Sequence, residues 1–275
     1  QTFTADSLTL NVDNKYFGFR KDGLWKGRRL YDLYAEGALP YEWHKTLQKV
    51  AYDNNLIFFS SPFAKEDVDF LETLNVPLYK IASPEITDLP LISYIASKNK
   101  PVIISAGMAD ETDIELALET CSKAGNNNVT LLKCTSEYPA MPDMANLLTI
   151  PDMKTRFNVR VGLSDHTMGT VVPVVAVTLG ATVIEKHFIL DRSLGGIDSA
   201  FSMEPDEFKA MVKEIKEACS ALGKITYELT ERNKLRRRSL FVAEDMKAGE
   251  IITEYNVRSV RPGHGLHPRF LKEII

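Results

Sequence analysis

The 275-residue chain has no CxxC or HxxxH spacing and only three cysteines, Cys121, Cys134 and Cys219. That excludes a closed four-ligand zinc site and a disulfide framework, and fits a reducing compartment with buried free thiols. There is no glycine-rich phosphate turn after a strand, which argues against a dinucleotide-binding open sheet. No secretory leader or spanning segment is present; the longest apolar stretch, Val171 to Ile184, is broken by Pro173, Thr178, Gly180 and Thr182. A formal charge of −4 gives no general attraction for nucleic acid or an anionic membrane. Internal repeats and low-complexity tracts are also missing.

What remains is an α/β rhythm from about 55 to about 223. Apolar runs at 56–60, 78–82, 102–105, 129–134, 159–163 and 182–187 read as buried parallel strands. Amphipathic stretches at 65–74, 89–98, 111–124, 144–157 and 170–179 read as helices between them. A last helix starts near Pro205, carries a stripe of Phe208, Met211, Val212, Ile215 and Cys219, and stops at Gly223. This alternation predicts βαβ units and a (β/α)8 TIM barrel whose first strand is missing from this chain. The expected organisation is a barrel domain over 1–224, a basic linker over 225–238, and a small β-rich domain over 239–275, itself short at its end.

Chemistry-bearing residues fall at the ends of the predicted strands. His166 and His187 end consecutive strands, and neutral imidazole ligates Mn, Zn and similar ions. Two histidines also suit a hydrogen-bonded barrel rim, and both readings stay open on pattern alone. Asp165 and Glu185 are available to orient the rings through the remote N–H. Lys80, Ser83 and Glu85 follow one strand, Ser60 and Ser61 the one before, Ser105 the one after, and Ser136 and Tyr138 the next. A lysine with convergent hydroxyls and backbone N–H groups is a cradle for a phosphate or carboxylate. Each has a plainer reading: Lys80 as a salt bridge to Glu85, the serines as turn formers, His44 as packing, His264 and His267 as surface residues. Lys80 is also a candidate Schiff-base lysine if burial lowers its pKa.

Lys80-Ile-Ala-Ser-Pro-Glu85, Ser105-Ala-Gly-Met108, Leu163-Ser-Asp-His-Thr167, Glu185-Lys-His-Phe188 and Asp198-Ser-Ala-Phe-Ser-Met203 together resemble the sialic acid synthase family. Arg238-Ser-Leu-Phe through Arg261-Pro-Gly resembles that family's antifreeze-like (SAF) domain. Gly23-Leu-Trp25, Leu30-Tyr-Asp-Leu-Tyr34, Tyr41-Glu-Trp-His44 and the opening Gln1-Thr-Phe-Thr-Ala-Asp6 are closer to its pseudaminate branch than to the neuraminate branch. Ser136, where neuraminate synthases have asparagine, points the same way.

The resemblance implies a transferase that condenses phosphoenolpyruvate, water and an acylamino-sugar aldehyde into a nine-carbon 2-keto acid and phosphate. For this branch the sugar is 2,4-diacetamido-2,4,6-trideoxy-L-altrose. It implies a divalent ion, Mn2+ or Mg2+, on His166 and His187. Gln1, Ser61, Lys80, Ser83, Ser105, Ser136 and Ser164 would hold phosphoenolpyruvate, and Glu85 would transfer a proton and touch a sugar hydroxyl. Tyr138 and Asp198 would face the sugar, and Arg261 would enter the partner's site in a domain-swapped homodimer of a cytoplasmic enzyme. The competing expectations are a neuraminate or legionaminate synthase, a Schiff-base aldolase using Lys80, and a non-catalytic sugar-binding remnant.

Overall fold

The computed structural model describes residues 1–275, which divide into two compact units, Gln1–Leu222 and Gly223–Ile275. The first opens with helices α1 (Ala5–Leu8), α2 (Leu30–Gly37), α3 (Tyr41–Asp53) and α4 (Lys65–Thr73). Strands and helices then alternate. In order they are β1 (Tyr79–Ile81), α5 (Leu89–Ala96), β2 (Val102–Ser105), α6 (Glu111–Lys123) and β3 (Val129–Cys134). They continue with α7 (Thr149–Arg156), β4 (Arg160–Asp165), α8 (Val171–Thr178), β5 (Ile184–Lys186) and α9 (Pro205–Leu222). The second unit holds α10 (Glu231–Leu235), the antiparallel pair β6 (Ser239–Val242) and β7 (Val257–Val260), and α11 (Leu271–Ile274).

β1 to β5 pair in parallel in sequence order, the arrangement that right-handed βαβ crossovers produce. Alternation along each strand sorts the side chains. Tyr79, Ile81, Val102, Ile104, Leu131, Val161 and Leu163 turn outward into the core beneath the helices. Lys80, Ser105, Cys134, Ser164 and Glu185 have the opposite parity and turn inward. Gly162 belongs to the inward set because a Cβ there would meet the Val183 carbonyl at 2.5 Å and the Leu132 side chain at 2.6 Å.

Starts and stops of the helices are local. Asp88 accepts from the Leu91 N–H and Asp110 from the Asp113 N–H, at 3.0 and 2.9 Å, capping α5 and α6. At the other ends single residues take left-handed backbone: Asn55, Asn75, Asn99 and Asn158 follow α3, α4, α5 and α7, and Gly125, Gly180 and Gly223 follow α6, α8 and α9.

Two sequence expectations need correcting. The predicted strand at 56–60 is reduced to one parallel bridge between Ser60 and Tyr79, with a second between Thr2 and Pro62 beyond it. Leu56 and Ile57 are 66% and 70% exposed, so the run lacks the two-sided burial that a continuous ladder would give. Helix α7 starts at Thr149 rather than Met144, because Asn146 adopts a φ of +45° and interrupts the turn. The five parallel strands form a curled half-barrel, the barrel-type sheet that was expected. Within the stretch expected as a linker, Thr230 caps the short helix α10.

Candidate active site

The inward parity of β1 to β5 and the turns after them gather the polar residues at the C-terminal edge of the sheet. Lys80 is buried, donates to the Ile81 carbonyl at 2.9 Å, and lies 3.6 Å from Glu185 Oε2. The expected partner, Glu85, does not pair with it; Glu185 stands on the strand that faces Lys80 across the curl. Burial pushes the Lys80 ammonium down, and the Glu185 carboxylate opposes this. Ser164 donates to the other oxygen of Glu185 at 2.7 Å.

Around this pair lie the serines. Ser83 accepts from the Gly107 N–H at 3.1 Å. Ser105 Oγ is buried and has no hydrogen-bond partner. Ser136 lies 3.8 Å from Cys134 Sγ, and both crowd Gly107, where a Cβ would meet them at 2.5 and 2.9 Å. Ser61 is buried, and its carbonyl accepts from Thr2 N at 2.8 Å. That contact sets Gln1 at this edge.

Glu85 enters on the 3-10 turn Ser83–Thr87 after β1. Its Oε2 is buried without a partner, and burial raises its carboxyl to about 7, with Lys80 pulling the other way. A carboxyl that is half protonated near neutrality can both give and take a proton. The orphaned Ser105 hydroxyl and Glu85 oxygen are groups a protein leaves unsatisfied at a cost of about 1–3 kcal/mol each unless a ligand completes them.

The imidazoles close the cluster. His166 donates through Nδ1 to the Thr135 carbonyl at 2.8 Å, so in the neutral ring Nε2 carries the lone pair. His187 Nδ1 faces Asp198 Oδ2 at 3.5 Å. The ring centroids are 5.2 Å apart, with Tyr138 4.4 Å from His166 and Phe201 4.9 Å from His187. Burial lowers His187, more strongly than Asp198 raises it. Asp165 and Glu185 do not orient these rings as expected. Asp165 has outward parity and takes Lys186 Nζ at 2.8 Å and the Thr167 N–H at 3.0 Å, while Glu185 is engaged by Ser164 and Lys80. The Thr135 carbonyl and Asp198 take that place.

No third histidine, cysteine, aspartate or glutamate joins the two imidazoles in a metal-type cluster. Two adjacent imidazoles, with their Nδ1 atoms turned to the Thr135 carbonyl and to Asp198, nevertheless suit an ion whose other positions go to substrate and water.

Two residues in this cluster escaped the sequence reading. The sequence groups Cys134 with buried apolar thiols, yet it ends β3 beside His166, Ser83 and Ser164. Burial pushes its thiol up, but hydrogen bonds from those residues outweigh that and bring it to about 7. Phe201 packs at a tilt against Tyr138 and edge-on against His187; its signal is its place within Asp198-Ser-Ala-Phe-Ser-Met203. Cys219, also expected to be buried, is exposed. Arg261 lies in the second unit, after β7.

A half-barrel of parallel strands whose C-terminal ends gather a lysine, serines, a raised carboxyl and two imidazoles defines a barrel-type enzyme. Residues 1–227 match the NeuB family and residues 237–275 the SAF domain. The chain belongs to the NeuB family. The pseudaminic acid synthase of Campylobacter jejuni subsp. jejuni (strain 81-176) is 48% identical over 278 residues, covering all of this chain and 81% of the relative. That of Helicobacter pylori is 45% identical over 279 residues, covering all of this chain and 82% of the relative. Among solved structures, the N-acetylneuraminic acid synthetase of Leptospira borgpetersenii has a TM-score of 0.70 at 32% identity, over 74% of this chain and 71% of that one. No helix is long and apolar enough to cross a membrane.

Proposed function

We propose that the protein is a pseudaminic acid synthase, condensing phosphoenolpyruvate with 2,4-diacetamido-2,4,6-trideoxy-L-altrose and water to give pseudaminic acid and phosphate. The observation that carries the reading is its 45–48% identity, along its whole length, to two relatives bearing that name.

Lys80 and the hydroxyls of Ser61, Ser83, Ser105, Ser136 and Ser164, with Gln1, hold the carboxylate and phosphate of phosphoenolpyruvate; the unpartnered Ser105 Oγ supports this placement. His166 and His187 would hold a divalent ion, Mn2+ or Mg2+, which would supply polarisation of the sugar aldehyde. Tyr138 and Asp198 position the open-chain sugar so that its aldehyde carbon meets C3 of phosphoenolpyruvate. The new C–C bond leaves a cationic C2. Water adds there, and the tetrahedral centre expels phosphate by breaking its C–O bond. Glu85, with its carboxyl near 7, delivers a proton to the aldehyde oxygen as it becomes a hydroxyl. Arg261 acts in the site of the partner subunit of a domain-swapped homodimer, and the enzyme works in the cytoplasm.

The test is phosphate release from phosphoenolpyruvate and Mn2+ with the altrose sugar or N-acetylmannosamine. Release with the altrose sugar alone, abolished by EDTA, is expected. Release with N-acetylmannosamine alone would move the assignment to the neuraminate branch, and silence with both would overturn it.

A further inference from the structure

One segment beside the site has no part in the chemistry above. Residues 19–29 form a hairpin closed by an antiparallel bridge between Phe19 and Arg29. Arg20 and Arg28 are joined through the Arg20 N–H at 2.9 Å, and the Gly27 N–H returns to the Arg20 carbonyl at 2.9 Å. Gly23 and Gly27 take positive φ, +75° and +81°, which lets the turn close.

The hairpin reaches the active site through Trp25. Its ring is 6.0 Å from that of Tyr138, which in turn sits on His166. Trp25 Nε1 donates to the Ile197 carbonyl at 3.2 Å, tying the hairpin to the residue before Asp198. Between them lies a cleft of about 340 Å3 lined by Leu24, Trp25, Arg28, Glu36, Ile197 and Ser199.

Arg20 is the second anchor. Its guanidinium carbon is 5.9 Å from the Trp25 ring. Its Nε is buried with no hydrogen-bond partner, and no carboxylate lies within ion-pair distance, whereas Arg28 is already engaged by Glu36. Tyr34 links Arg20 to the catalytic cluster. Burial and then the Glu85 carboxylate push its hydroxyl up, and Arg20 opposes them. A buried donor without an acceptor, next to an indole, fits a ligand that brings a carbonyl oxygen together with an apolar group. An N-acyl substituent carries both.

We propose that the hairpin is the sugar-selecting wall of the site: Arg20 donates to the carbonyl of a second N-acyl group on the sugar, and Trp25 packs against that group's methyl. The proposal rests on the synthase reading. The aldehyde end of the sugar lies at the imidazoles, so the group read by Trp25 and Arg20 is one carried further along the sugar chain. A mono-acylated sugar such as N-acetylmannosamine leaves this subsite unfilled.

The experiment compares steady-state phosphate release by the unaltered enzyme and the R20A, W25A and W25F variants, with either sugar and with phosphoenolpyruvate varied separately. R20A and W25A are expected to raise KM for the diacetamido sugar tenfold or more, with KM for phosphoenolpyruvate within twofold. W25F, which keeps an aromatic face but loses the Ile197 hydrogen bond, falls between. The protein has only two tryptophans, and Trp43 lies on α3, so W43F leaves Trp25 as the sole indole; its emission should shift when the diacetamido sugar is added. If W25A does not fold, R20A and W25F carry the test. Unchanged sugar KM in R20A and W25F, or a parallel rise in KM for phosphoenolpyruvate, overturns the proposal while leaving the synthase reading intact. No turnover by the unaltered enzyme with any acylamino sugar overturns both.

Discussion

Lys80 Nζ stands 3.6 Å from Glu185 Oε2 although the two residues come from β1 and β5, the opposite edges of the sheet. In a flat sheet four strand spacings would hold those edges roughly 19 Å apart. The contact therefore exists only because the sheet curls, and the pair spans the mouth of the half-barrel. A K80A variant removes the lysine that faces Glu185 there. Its KM for phosphoenolpyruvate is expected to rise at least tenfold, with the sugar KM less affected. Borohydride with pyruvate should leave Lys80 unmodified, as read by mass spectrometry; a trapped adduct would support the Schiff-base alternative instead.

The Asp165–Lys186 pair is a second buried ion pair, made by β4 and β5 on the outward face of the sheet. Both side chains are almost wholly buried, 2% and 1% exposed. Removing one partner strands the other in a low-dielectric interior, so D165A should lose about 3–5 kcal/mol in urea unfolding. The double change D165L/K186M should recover most of that loss. If D165A unfolds at the wild-type midpoint, the pair contributes nothing.

Glu85 gives a pH signature. Burial raises its folded-state pKa from 4.5 to about 7, so the folded protein holds this proton more tightly than the unfolded chain does. The resulting stabilisation is complete below pH 4.5 and is lost as pH rises to about 7. E85Q should therefore be more stable than wild type by about 1–3 kcal/mol at pH 8 and equal to it at pH 4. Activity should fall in the same variant. A melting-temperature difference that does not change with pH would contradict this account.

Metal binding is testable apart from turnover. H166A and H187A should each lower Mn2+ affinity tenfold or more by calorimetry, and D198N less, since Asp198 faces only the remote nitrogen of His187. Equal Mn2+ affinity in wild type and H166A would remove His166 from the site.

The proposed domain-swapped arrangement predicts complementation. R261A and H166A should each be inactive alone, yet mixed and re-associated dimers should recover about a quarter of wild-type activity, because statistical mixing makes half of the dimers hybrid and each hybrid has one intact site. No recovery in a verified mixed dimer would place Arg261 outside the partner's site.

Much of the barrel could be read from the chain because its punctuation is local. β2 and β3 fall where Val102–Ser105 and Val129–Cys134 were expected, as short apolar runs between helices that end on asparagine or glycine. The run at 56–60 looked the same in sequence; only its exposure, a property of what surrounds it, shows why it makes a single bridge. The start of α7 was hidden because nothing in the pattern signals that Asn146 turns left-handed. For the site, residue types and strand ends were legible but pairings were not. The choice of Glu185 over Glu85 for Lys80, and of Lys186 over a histidine for Asp165, follows from inward and outward parity in a curled sheet. That parity depends on where each strand begins, to within one residue. The Arg20–Trp25 wall depends on contacts between residues far apart in the chain, such as Trp25 with Ile197, 172 positions away.

The left-handed asparagines and glycines that follow α3 to α9 all serve the hand-off at the rim away from the chemistry. At that rim the fold is written in single-residue stops that tolerate few replacements. The opposite rim is written in side chains on turns, which Asn146, Gly169, Gly195 and Gly196 also shape with left-handed backbone. One protein thus has two alphabets, one for assembling the half-barrel and one for choosing what it acts on. A lineage can rewrite the second, hairpin and all, and leave the spelling of the first untouched.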